Sequence, residues 1–411
     1  MKSLLFITNE YPYKTGDSAF IRNEIPYVAK NFDKVHVLSL NVRKKCALWN
    51  TPDNVFIYRI KFKRIKKIFM LIPLLFDIDF YREIFFLLKK RKFSINSVFL
   101  VMSFLVGTIL TEIYLKNILK KDKDICLIYT YWYWSGTMAA SRLKKKYNIK
   151  CVTRTHRFDL YELKDVHYYQ PFKLWMDKII NKVFFISKHG YDYYIKTFAN
   201  SELKKYSLSY LGIINKYNIE NKKGSQNMFT LLSCANLVSM KRIQLIIYAL
   251  AEINELEIHW IHIGDGELKK NISLMADNFL YNKNNISYEF KGYMFNDEIM
   301  KYYYENHIDC FISVSESEGL PVSMMEAISF GIPIIATNVG GVSELVNGDS
   351  GILLNPEGNI QEIKRAIVDF YMLPENKKVA IRQATRSLWE SNFNAEINYT
   401  KFSKELASIC N

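Results

Sequence analysis

The sequence predicts an α/β protein of two domains, each a parallel β-sheet flanked by helices. Its 411 residues are two to three times the length of an ordinary domain. Short runs of Ile, Val, Leu and Phe alternate with segments of helical periodicity in both halves, and this alternation is typical of parallel sheets. Near residues 213–228 the alternation lapses into Asn, Lys, Gly and Ser, a composition typical of a linker.

The first half opens with a βαβ pattern. A strand, a glycine-bearing loop, an amphipathic helix and a second strand are predicted within KSLLFITNEYPYKTGDSAFIRNEIPYVAKNFDKVHVLSL. After a basic and apolar insertion, the pattern continues with the strand DICLIYTYWYW, the helix SGTMAASRLKKKY and the strands IKCVTRTHRF and KVFFIS. We expect residues 1–213 to form the first domain.

The second half repeats the alternation of strands and helices. Strands are predicted in MFTLLSCAN, EIHWIHIGDGEL, IDCFISVS, IPIIATNVGG and SGILL, and helices in RIQLIIYALAEI and PVSMMEAISFG. We expect residues 228–390 to form the second domain, and a helix over 391–411 to pack back on the first. Because parallel sheets bind ligands at the carboxyl ends of their strands, the site is expected between the two domains.

Composition excludes several classes of protein. With 24% charged residues, 9 Pro and 16 Gly, the chain is neither disordered, collagen-like nor a coiled coil. The longest apolar run, residues 98–110, is too short to cross a bilayer, so no spanning helix is expected. The apolar residues 3–8 are too few for the core of a signal peptide. The six cysteines contain no C-x-x-C pair and predict reduced, cytosolic thiols.

The net charge of +15 is concentrated in the first half of the chain. Residues 1–200 contain 36 Lys and Arg against 16 Asp and Glu, a balance of +20, whereas the remainder carries −5. Basic and apolar residues alternate through residues 59–67. This alternation favours contact with an anionic membrane surface over nucleic acid, and a solvated helix face is the alternative. The basic residues of this cluster are Arg59, Lys61, Lys63, Arg64, Lys66 and Lys67.

The segment SVSESEGLPVSMMEAISFG carries the strongest chemical signal. Seven residues separate Glu318 in a loop from Glu326 in the following helix, so both carboxylates can face one ligand. A carboxylate accepts hydrogen bonds from two neighbouring hydroxyls, which suits the diols of a sugar and a ribose. Spacing alone leaves an alternative open, because Ser323 and Glu326 also have the form of a helix capping box.

The whole segment resembles the signature of retaining glycosyltransferases of family 4, which have the GT-B fold of two facing Rossmann-like domains. The resemblance implies that Glu318 contacts the transferred sugar and Glu326 the ribose. The segment LLSCANLVSMKRIQLIIYAL resembles the family's diphosphate-binding region and implies that role for Lys241. Where many members have Arg this chain has Asn236, and the neighbouring Arg242 is expected to replace the missing charge.

The same resemblance extends to other motifs. GDG at 264–266 and GYMF at 292–295 resemble segments beside the nucleotide. In the first half, Gly16 is placed near the donor phosphates, although Asp17 stands where many members have a second glycine. His156 matches the family histidine beside the transferred sugar, within a polar strand end that also carries Arg154, Arg157 and Asp159. The remaining expected donor contacts are Gly292, Tyr293, Gly319, Leu320 and Pro321.

No metal site is predicted. Two D-x-D triplets occur, at 77–79 and 122–124, but neither follows a convincing strand of a nucleotide-binding unit, and both are expected to be surface turns. G-x-S-x-G, H-E-x-x-H and Walker motifs are absent, which argues against hydrolase, zincin and P-loop functions.

The sequence therefore predicts a cytoplasmic, metal-independent and retaining glycosyltransferase of cell-surface polysaccharide assembly, peripheral on the inner face of the membrane. It would transfer a hexosyl or N-acetylhexosaminyl group from a UDP- or GDP-sugar to a lipid-linked glycan, without a further cofactor. Two alternatives stay open at this point. One is a nucleotide-sugar 2-epimerase of the same architecture, and the other is a non-enzymatic, basic membrane-surface protein.

Overall fold

The computed structural model describes residues 1–14, 17–41, 47–60, 71–162, 169–199, 202–217 and 228–410. The chain divides into two compact units. The first comprises Met1–Tyr210 together with Ile397–Asn411, and the second comprises Leu211–Glu396. The chain thus leaves the first unit once and returns to it with its last helix.

A seven-stranded sheet forms the centre of the first unit. Its strand order is β3-β2-β1-β4-β5-β6-β7, and every pairing is parallel. All residues of β1 are buried, as expected for a strand covered on both faces. The strands are β1 (Ser3–Thr8), β2 (Lys34–Ser39), β3 (Val55–Arg59), β4 (Ile125–Thr130), β5 (Lys150–Thr155), β6 (Lys182–Phe185) and β7 (Tyr206–Leu208).

Helices cover both faces of this sheet, and two separate apolar cores lie between the sheet and these helices. They include the amphipathic helix and the SGTMAASRLKKKY helix that the periodicity predicts. The described helices are α1 (Ser18–Ala29), α2 (Leu71–Leu74), α3 (Ile78–Lys89), α4 (Ile95–Lys121), α5 (Ser135–Tyr147), α6 (Arg157–Leu160), α7 (Lys173–Ile179) and α8 (Lys188–Thr197).

The apolar run at 98–110 belongs to a longer helix than the sequence analysis expected. Helix α4 has 27 residues, because residues of mixed polarity extend the apolar run at both of its ends. Within the described part of the chain it is the one helix long and apolar enough to cross a membrane, with a mean hydropathy of 2.0. The expectation that the chain has no helix able to span a bilayer is therefore wrong, as far as length and composition are concerned. Only 39% of its most apolar window is buried inside the protein.

The last helix, α15 (Ala395–Ile409), contributes Phe402 and Leu406 to the core of the first unit. Phe402 packs edge-on against Tyr129 of β4 and Phe184 of β6. A disulfide joins Cys126 in β4 to Cys410, with their Cα atoms 5.5 Å apart. The expectation that all six cysteines are free thiols is wrong for this pair, since the spacing of cysteines along the sequence does not reveal that these two meet. Cys151, Cys234 and Cys310 are free, and Cys46 lies outside the described residues.

A six-stranded parallel sheet forms the second unit, in the order β10-β9-β8-β11-β12-β13. In both units the order reverses direction beside the first strand, and ligands bind parallel sheets at such a switch point. The strands are β8 (Phe229–Cys234), β9 (Ile258–Ile263), β10 (Ile286–Gly292), β11 (Cys310–Ser313), β12 (Ile334–Thr337) and β13 (Gly351–Leu354). The helices are α9 (Ile243–Ala251), α10 (Lys269–Leu280), α11 (Asn296–Glu305), α12 (Val322–Ile328), α13 (Ile360–Tyr371) and α14 (Glu375–Leu388).

Candidate active site

The loops after β8 and β11, which are adjacent strands, bring Lys241 and Glu318 together. Lys241 ends a single 3₁₀ turn, Ser239–Lys241, and its Nζ lies 2.5 Å from Oε1 of Glu318. The backbone N–H of Glu316 donates to the carbonyl of Met240, which fixes one loop to the other. The side chain of Glu318 is 9% exposed and that of Lys241 is 19% exposed. The structure therefore pairs two of the predicted catalytic residues, 77 positions apart in the chain.

The loop that carries Glu318 is supported by the two glycines after β12. A Cβ atom on Gly340 would lie 1.9 Å from the carbonyl oxygen of Glu318, and the φ of Gly340 is +55°. The N–H of Gly341 donates to the carbonyl of Gly319 at 2.8 Å. Only glycine meets both requirements at position 340. The VGGVSELV segment thus positions the Glu318 loop by backbone contact.

Glu326 lies in α12, 5% exposed, and its Oε1 accepts a hydrogen bond of 2.5 Å from Nδ2 of Asn296. Asn296 is the first residue of α11, so the loop after β10 reaches the carboxylate. The capping-box alternative is wrong, because Pro321 occupies the cap position of α12 without a side-chain cap and Ser323 lies inside the helix. Sequence reasoning missed Asn296, since no spacing rule connects positions 296 and 326.

Four backbone carbonyls hold the guanidinium of Arg242. It donates to the carbonyls of Val314 and Ser315 after β11, at 2.7 and 3.0 Å. It also donates to the carbonyls of Pro356 and Glu357, each at 2.8 Å. A guanidinium has five N–H donors, so these bonds use four of them. Arg242 therefore joins two loops, and its role as a replacement for the missing diphosphate-binding charge stays a prediction.

The other predicted donor contacts of the second unit lie at the same sheet edge. Asn236 is exposed after β8, and Tyr293, which is 64% exposed, packs edge-on against Phe295. Gly292 ends β10 at a φ of +71°. A Cβ on Gly264 would lie 1.9 Å from the carbonyl oxygen of Ala235, so the G-D-G turn packs against the loop that holds Asn236. Leu320 and Pro321 are buried and lead into α12.

In the first unit, His156 follows β5 directly and is 8% exposed. Its ring lies between those of Tyr131 and Trp132, with both centroid distances 4.5 Å. Neither ring nitrogen has a hydrogen-bond partner among the residues that the structure describes. Burial, and then the charge of Arg154, lower the pKa of His156 well below its ordinary value. The imidazole is thus neutral at pH 7, and buried nitrogens without partners mark a place for a polar ligand.

The neighbours of His156 do not form the polar strand end that the sequence analysis expected. Arg154 is fully buried and forms an ion pair with Glu24 of α1. Asp159 is also buried, and its carboxylate accepts from the backbone N–H groups of His156 and Tyr133 at 2.7 and 2.6 Å. The carboxylate of Asp159 is thereby satisfied inside the unit, whereas Nε of the buried Arg154 has no hydrogen-bond partner among the described residues. Asp159 fixes the backbone at which the imidazole is held.

The loop between β1 and α1 is held by Asp17. Its buried carboxylate accepts from the N–H groups of Asn9, Glu10 and Tyr11 and from Nε1 of Trp132, at 2.7 to 3.0 Å. Burial raises the pKa of Asp17. Because Trp132 also packs against His156, one carboxylate connects this loop to the histidine. Gly16 itself lies outside the described residues.

The first D-x-D triplet is not a surface turn, because it begins helix α3 and its Asp79 is buried. The second is a bend before β4 in which Lys123 and Asp124 are exposed, as expected, although Asp122 is buried. Asp77 and Asp79 both lie within 2.9 Å of the guanidinium of Arg142. Asp122 accepts from Ser3 and lies 2.8 Å from Nε2 of His36. In the described part of the chain, no group of three or more His, Cys, Asp and Glu side chains has an arrangement that would hold a metal ion.

Comparison with known proteins identifies the class to which this fold and site belong. Residues 215–387 match the family described as glycosyl transferases group 1. The whole chain superimposes on the crystal structure of Anabaena Alr3699/HepE in complex with UDP and glucose, with a TM-score of 0.67 and 16% identity. That alignment covers 99% of this chain and 100% of the other. The chain has the GT-B fold of these structures, and residues 215–387, in its second unit, match the group 1 glycosyl transferase domain.

Two sequence relatives are consistent with this class. An uncharacterized glycosyltransferase of Methanocaldococcus jannaschii is 27% identical over 264 residues, which are 64% of this chain and 70% of the relative. The amylovoran biosynthesis glycosyltransferase AmsK of Erwinia amylovora is 26% identical over 214 residues. That second match spans about half of each protein, 50% of this chain and 51% of AmsK.

Proposed function

We propose that this enzyme is a retaining glycosyltransferase of family 4 that extends a lipid-linked glycan in cell-surface polysaccharide assembly. Its donor would be a UDP- or GDP-sugar that supplies a hexosyl or N-acetylhexosaminyl group. The observation that carries the proposal is the pairing of Lys241 with Glu318 at the sheet edge that also holds Glu326. The UDP complex of the structural neighbour and the polysaccharide named for AmsK support the donor and the pathway class.

In the proposed reaction, the bond between the anomeric carbon and the diphosphate oxygen breaks. A bond forms from the acceptor oxygen to the same face of that carbon, and the acceptor proton passes to the departing phosphate oxygen. The negative charge that develops on the diphosphate is stabilised by the ammonium group of Lys241. Glu318 accepts hydrogen bonds from the transferred sugar, and Glu326 accepts them from the ribose hydroxyls.

His156 acts in this scheme as a group that orients the transferred sugar. Its neutral imidazole offers one donor and one acceptor nitrogen, and the rings of Tyr131 and Trp132 pack against it in tilted contacts that restrict its orientation. A depressed pKa leaves it a weak proton acceptor. That property agrees with a reaction in which the departing phosphate takes the proton.

The enzyme is proposed to work at the inner face of the membrane, where a lipid-linked acceptor and cytoplasmic nucleotide sugars meet. Arg59 is the last residue of β3, whereas the rest of the basic cluster, Lys61 to Lys67, lies outside the described residues. Contact of this cluster with anionic lipid stays a prediction from the sequence.

A screen of nucleotide sugars for protection against thermal unfolding tests the proposed function. A ligand that binds only the folded protein raises its stability by about 2.7 kcal/mol when present at 100 times its Kd. We expect protection by a UDP- or GDP-sugar, followed by transfer to an acceptor when the products are analysed. Release of an epimerised nucleotide sugar would instead support the 2-epimerase. Absence of protection by every nucleotide sugar would contradict both enzymes.

Replacing Glu326 by alanine is expected to weaken donor binding about tenfold to a hundredfold, because a hydrogen bond to a charged group contributes about 1.5 to 3 kcal/mol. Titration calorimetry with the donor measures the change. Asn296→Ala, which removes only the partner that holds the carboxylate, should give a smaller loss. Glu257→Ala, at an exposed carboxylate that precedes β9 in the same unit, is the matched control. Unchanged affinity in a stably folded Glu326→Ala protein would contradict the assignment.

We also expect donor turnover to continue undiminished in excess EDTA. The reason is that Lys241 supplies the positive charge at the diphosphate, and that three of the four D-x-D carboxylates are already paired with Arg142 and His36. The assay compares initial rates with EDTA, with added Mg²⁺ and with added Mn²⁺. Complete loss of activity in EDTA that Mn²⁺ restores would show that the reaction needs a metal.

A further inference from the structure

Helix α3 exposes a stripe of apolar side chains, although two carboxylates lie beside Leu87 on its buried face. Its buried side chains include two carboxylates, Asp79 and Glu83, each 8% exposed. Asp79 bonds to Arg142 at 2.7 Å, and Glu83 accepts from the N–H of Phe172 at 2.8 Å. The outward stripe of α3, at helical spacing, is apolar and 54% to 68% exposed. It consists of Ile78, Tyr81, Phe85 and Leu88.

The apolar surface continues on the elements before and after α3. Helices α2 and α3 both pack against α4, and the hydroxyl of Tyr81 donates to the carbonyl of Leu75 at 2.7 Å. Phe76 is 84% exposed and Ile95 is 75% exposed. We call the exposed apolar side chains of residues 72–99 the apolar face. Besides the stripe of α3, it comprises Ile72, Leu75, Phe76, Phe93, Ile95 and Phe99.

Basic side chains border the apolar face, and no exposed acidic side chain lies among them. From residue 80 to residue 111 the sequence contains a single carboxylate, the buried Glu83. The same stretch contains five basic residues, and the run 89–92 is exposed throughout. In the described part of the chain, Lys92 pairs with Glu162 and Arg82 with Asp79. Within the same described part of the chain, no ion pair involves Lys89, Lys90 or Arg91.

We infer that the apolar face is a docking surface that inserts into the headgroup region of an anionic lipid bilayer. Aromatic and aliphatic side chains beside Lys and Arg match the two components of such a surface, an apolar layer under negatively charged headgroups. The inward carboxylates of α3 show that this orientation is fixed by bonds inside the unit. The inference deepens the proposed function and rests on its lipid-linked acceptor, since it states which side chains of the first unit would meet the lipid.

The packing of α4 indicates that the protein docks on the bilayer and that α4 does not span it. Its buried side chains recur along the full length of the helix, from Ser97 to Leu119. Thr108 Oγ1 reaches the carbonyl of Ser135 in α5, and Arg142 of α5 pairs with Glu112. Only the start of α4, with Ile95 and Phe99, contributes to the apolar face. One side of this helix is therefore part of the protein core.

The test uses the full chain and vesicles of phosphatidylglycerol mixed with phosphatidylcholine, or of phosphatidylcholine alone. We expect the triple variant Phe76→Ser, Phe85→Ser and Phe99→Ser to lose about a hundredfold or more in partitioning to the anionic vesicles. Its matched control removes three equally exposed apolar side chains of the second unit, Leu274→Ser, Tyr281→Ser and Met372→Ser, and should bind as the unaltered chain does.

Salt and charge separate the two components of binding. At 1 M salt, where the Debye length is about 3 Å, the unaltered chain should retain part of its binding and the triple Phe variant none. Lys89→Glu, Lys90→Glu and Arg91→Glu together should reduce the preference for anionic vesicles. Lys63→Glu, Arg64→Glu, Lys66→Glu and Lys67→Glu together, in the separate basic cluster, should reduce it as well.

Equal vesicle binding by the triple Phe variant would overturn the inference. A dimer in light scattering that these substitutions dissociate would also overturn it, because it would show that a second copy covers the apolar face. Association with membranes that only detergent reverses would overturn it too. Protection by nucleotide sugars, measured without vesicles, is the independent test of the proposed function. Loss of vesicle binding with intact protection confirms a folded variant, whereas failure of protection in every protein contradicts the proposed function alone.

Discussion

Replacement of Lys241 by methionine is expected to lower turnover by about two to three orders of magnitude, the range found when a group that stabilises transition-state charge is removed. Methionine keeps most of the side-chain length and removes the charge. The pair with Glu318 at 2.5 Å gives the ammonium group a defined position at the sheet edge. The measurement is the single-turnover rate of transfer with saturating donor, because the lost charge matters most while the diphosphate departs.

The matched control for this experiment is Lys301→Met in the same unit. Lys301 also pairs with a carboxylate, Glu305 at 3.5 Å, but both side chains are more than 50% exposed. We expect the control to keep its turnover. The single change Lys241→Met leaves the Glu318 carboxylate without its cation. Comparing it with the double variant Lys241→Met, Glu318→Gln distinguishes the loss of the Lys241 charge from displacement of the Glu318 loop. A Lys241→Met enzyme with normal stability and undiminished turnover would remove Lys241 from the reaction.

Replacement of Glu24 by leucine is expected to destabilise the first unit by about 3 to 5 kcal/mol, the cost of leaving one partner of a buried ion pair alone. Glu24 and Arg154 are both fully buried and bond to each other, and the hydroxyl of Tyr129 donates to Glu24 at 3.0 Å. Chemical denaturation followed by tryptophan fluorescence measures the free energy of unfolding.

The double variant Glu24→Leu with Arg154→Met is the decisive comparison. Removing both charges replaces the pair by apolar side chains, which is often neutral, so the double variant should be more stable than Glu24→Leu alone. Additive losses would show that the two side chains stabilise the unit separately. The exposed pair Lys188 and Asp192 is a control, since breaking an exposed pair changes stability by about 0 to 1 kcal/mol.

Local sequence patterns predicted the secondary structure well because strands buried on both faces leave continuous apolar runs. The runs at 3–8, 125–130 and 229–234 all form central strands. Helix α4 was underestimated for a related reason. Only residues 98–110 form a distinct apolar run, and the flanking residues 95–97 and 111–121 are of mixed polarity. The small side chains within the run suit a helix that packs closely on another. A Cβ on Gly107 would lie 3.0 Å from Oγ of Ser135 in α5.

The candidate site was predictable only where its residues lie close together in sequence. Glu318 and Glu326 belong to one loop and helix, so their spacing carried information. The supports come from distant positions: Asn296 holds Glu326, and Gly340 makes room for the carbonyl of Glu318. The partners of charged residues were missed for the same reason. The bonds of Arg242 reach residues more than 70 positions away, which no local pattern reports.

The return of the chain to the first unit decides how the protein can be divided. A fragment that ends at residue 210 would contain all seven strands of the first sheet but would lack α15. Tyr129 and Phe184 would then be uncovered on one side of that sheet, and Cys126 would have no disulfide partner. The second unit, in contrast, is one uninterrupted stretch, 211–396, with both of its ends joined to the first. It is therefore the half suited to separate expression, and an intact first unit requires a chain in which the last helix is rejoined to residue 210 by a new linker.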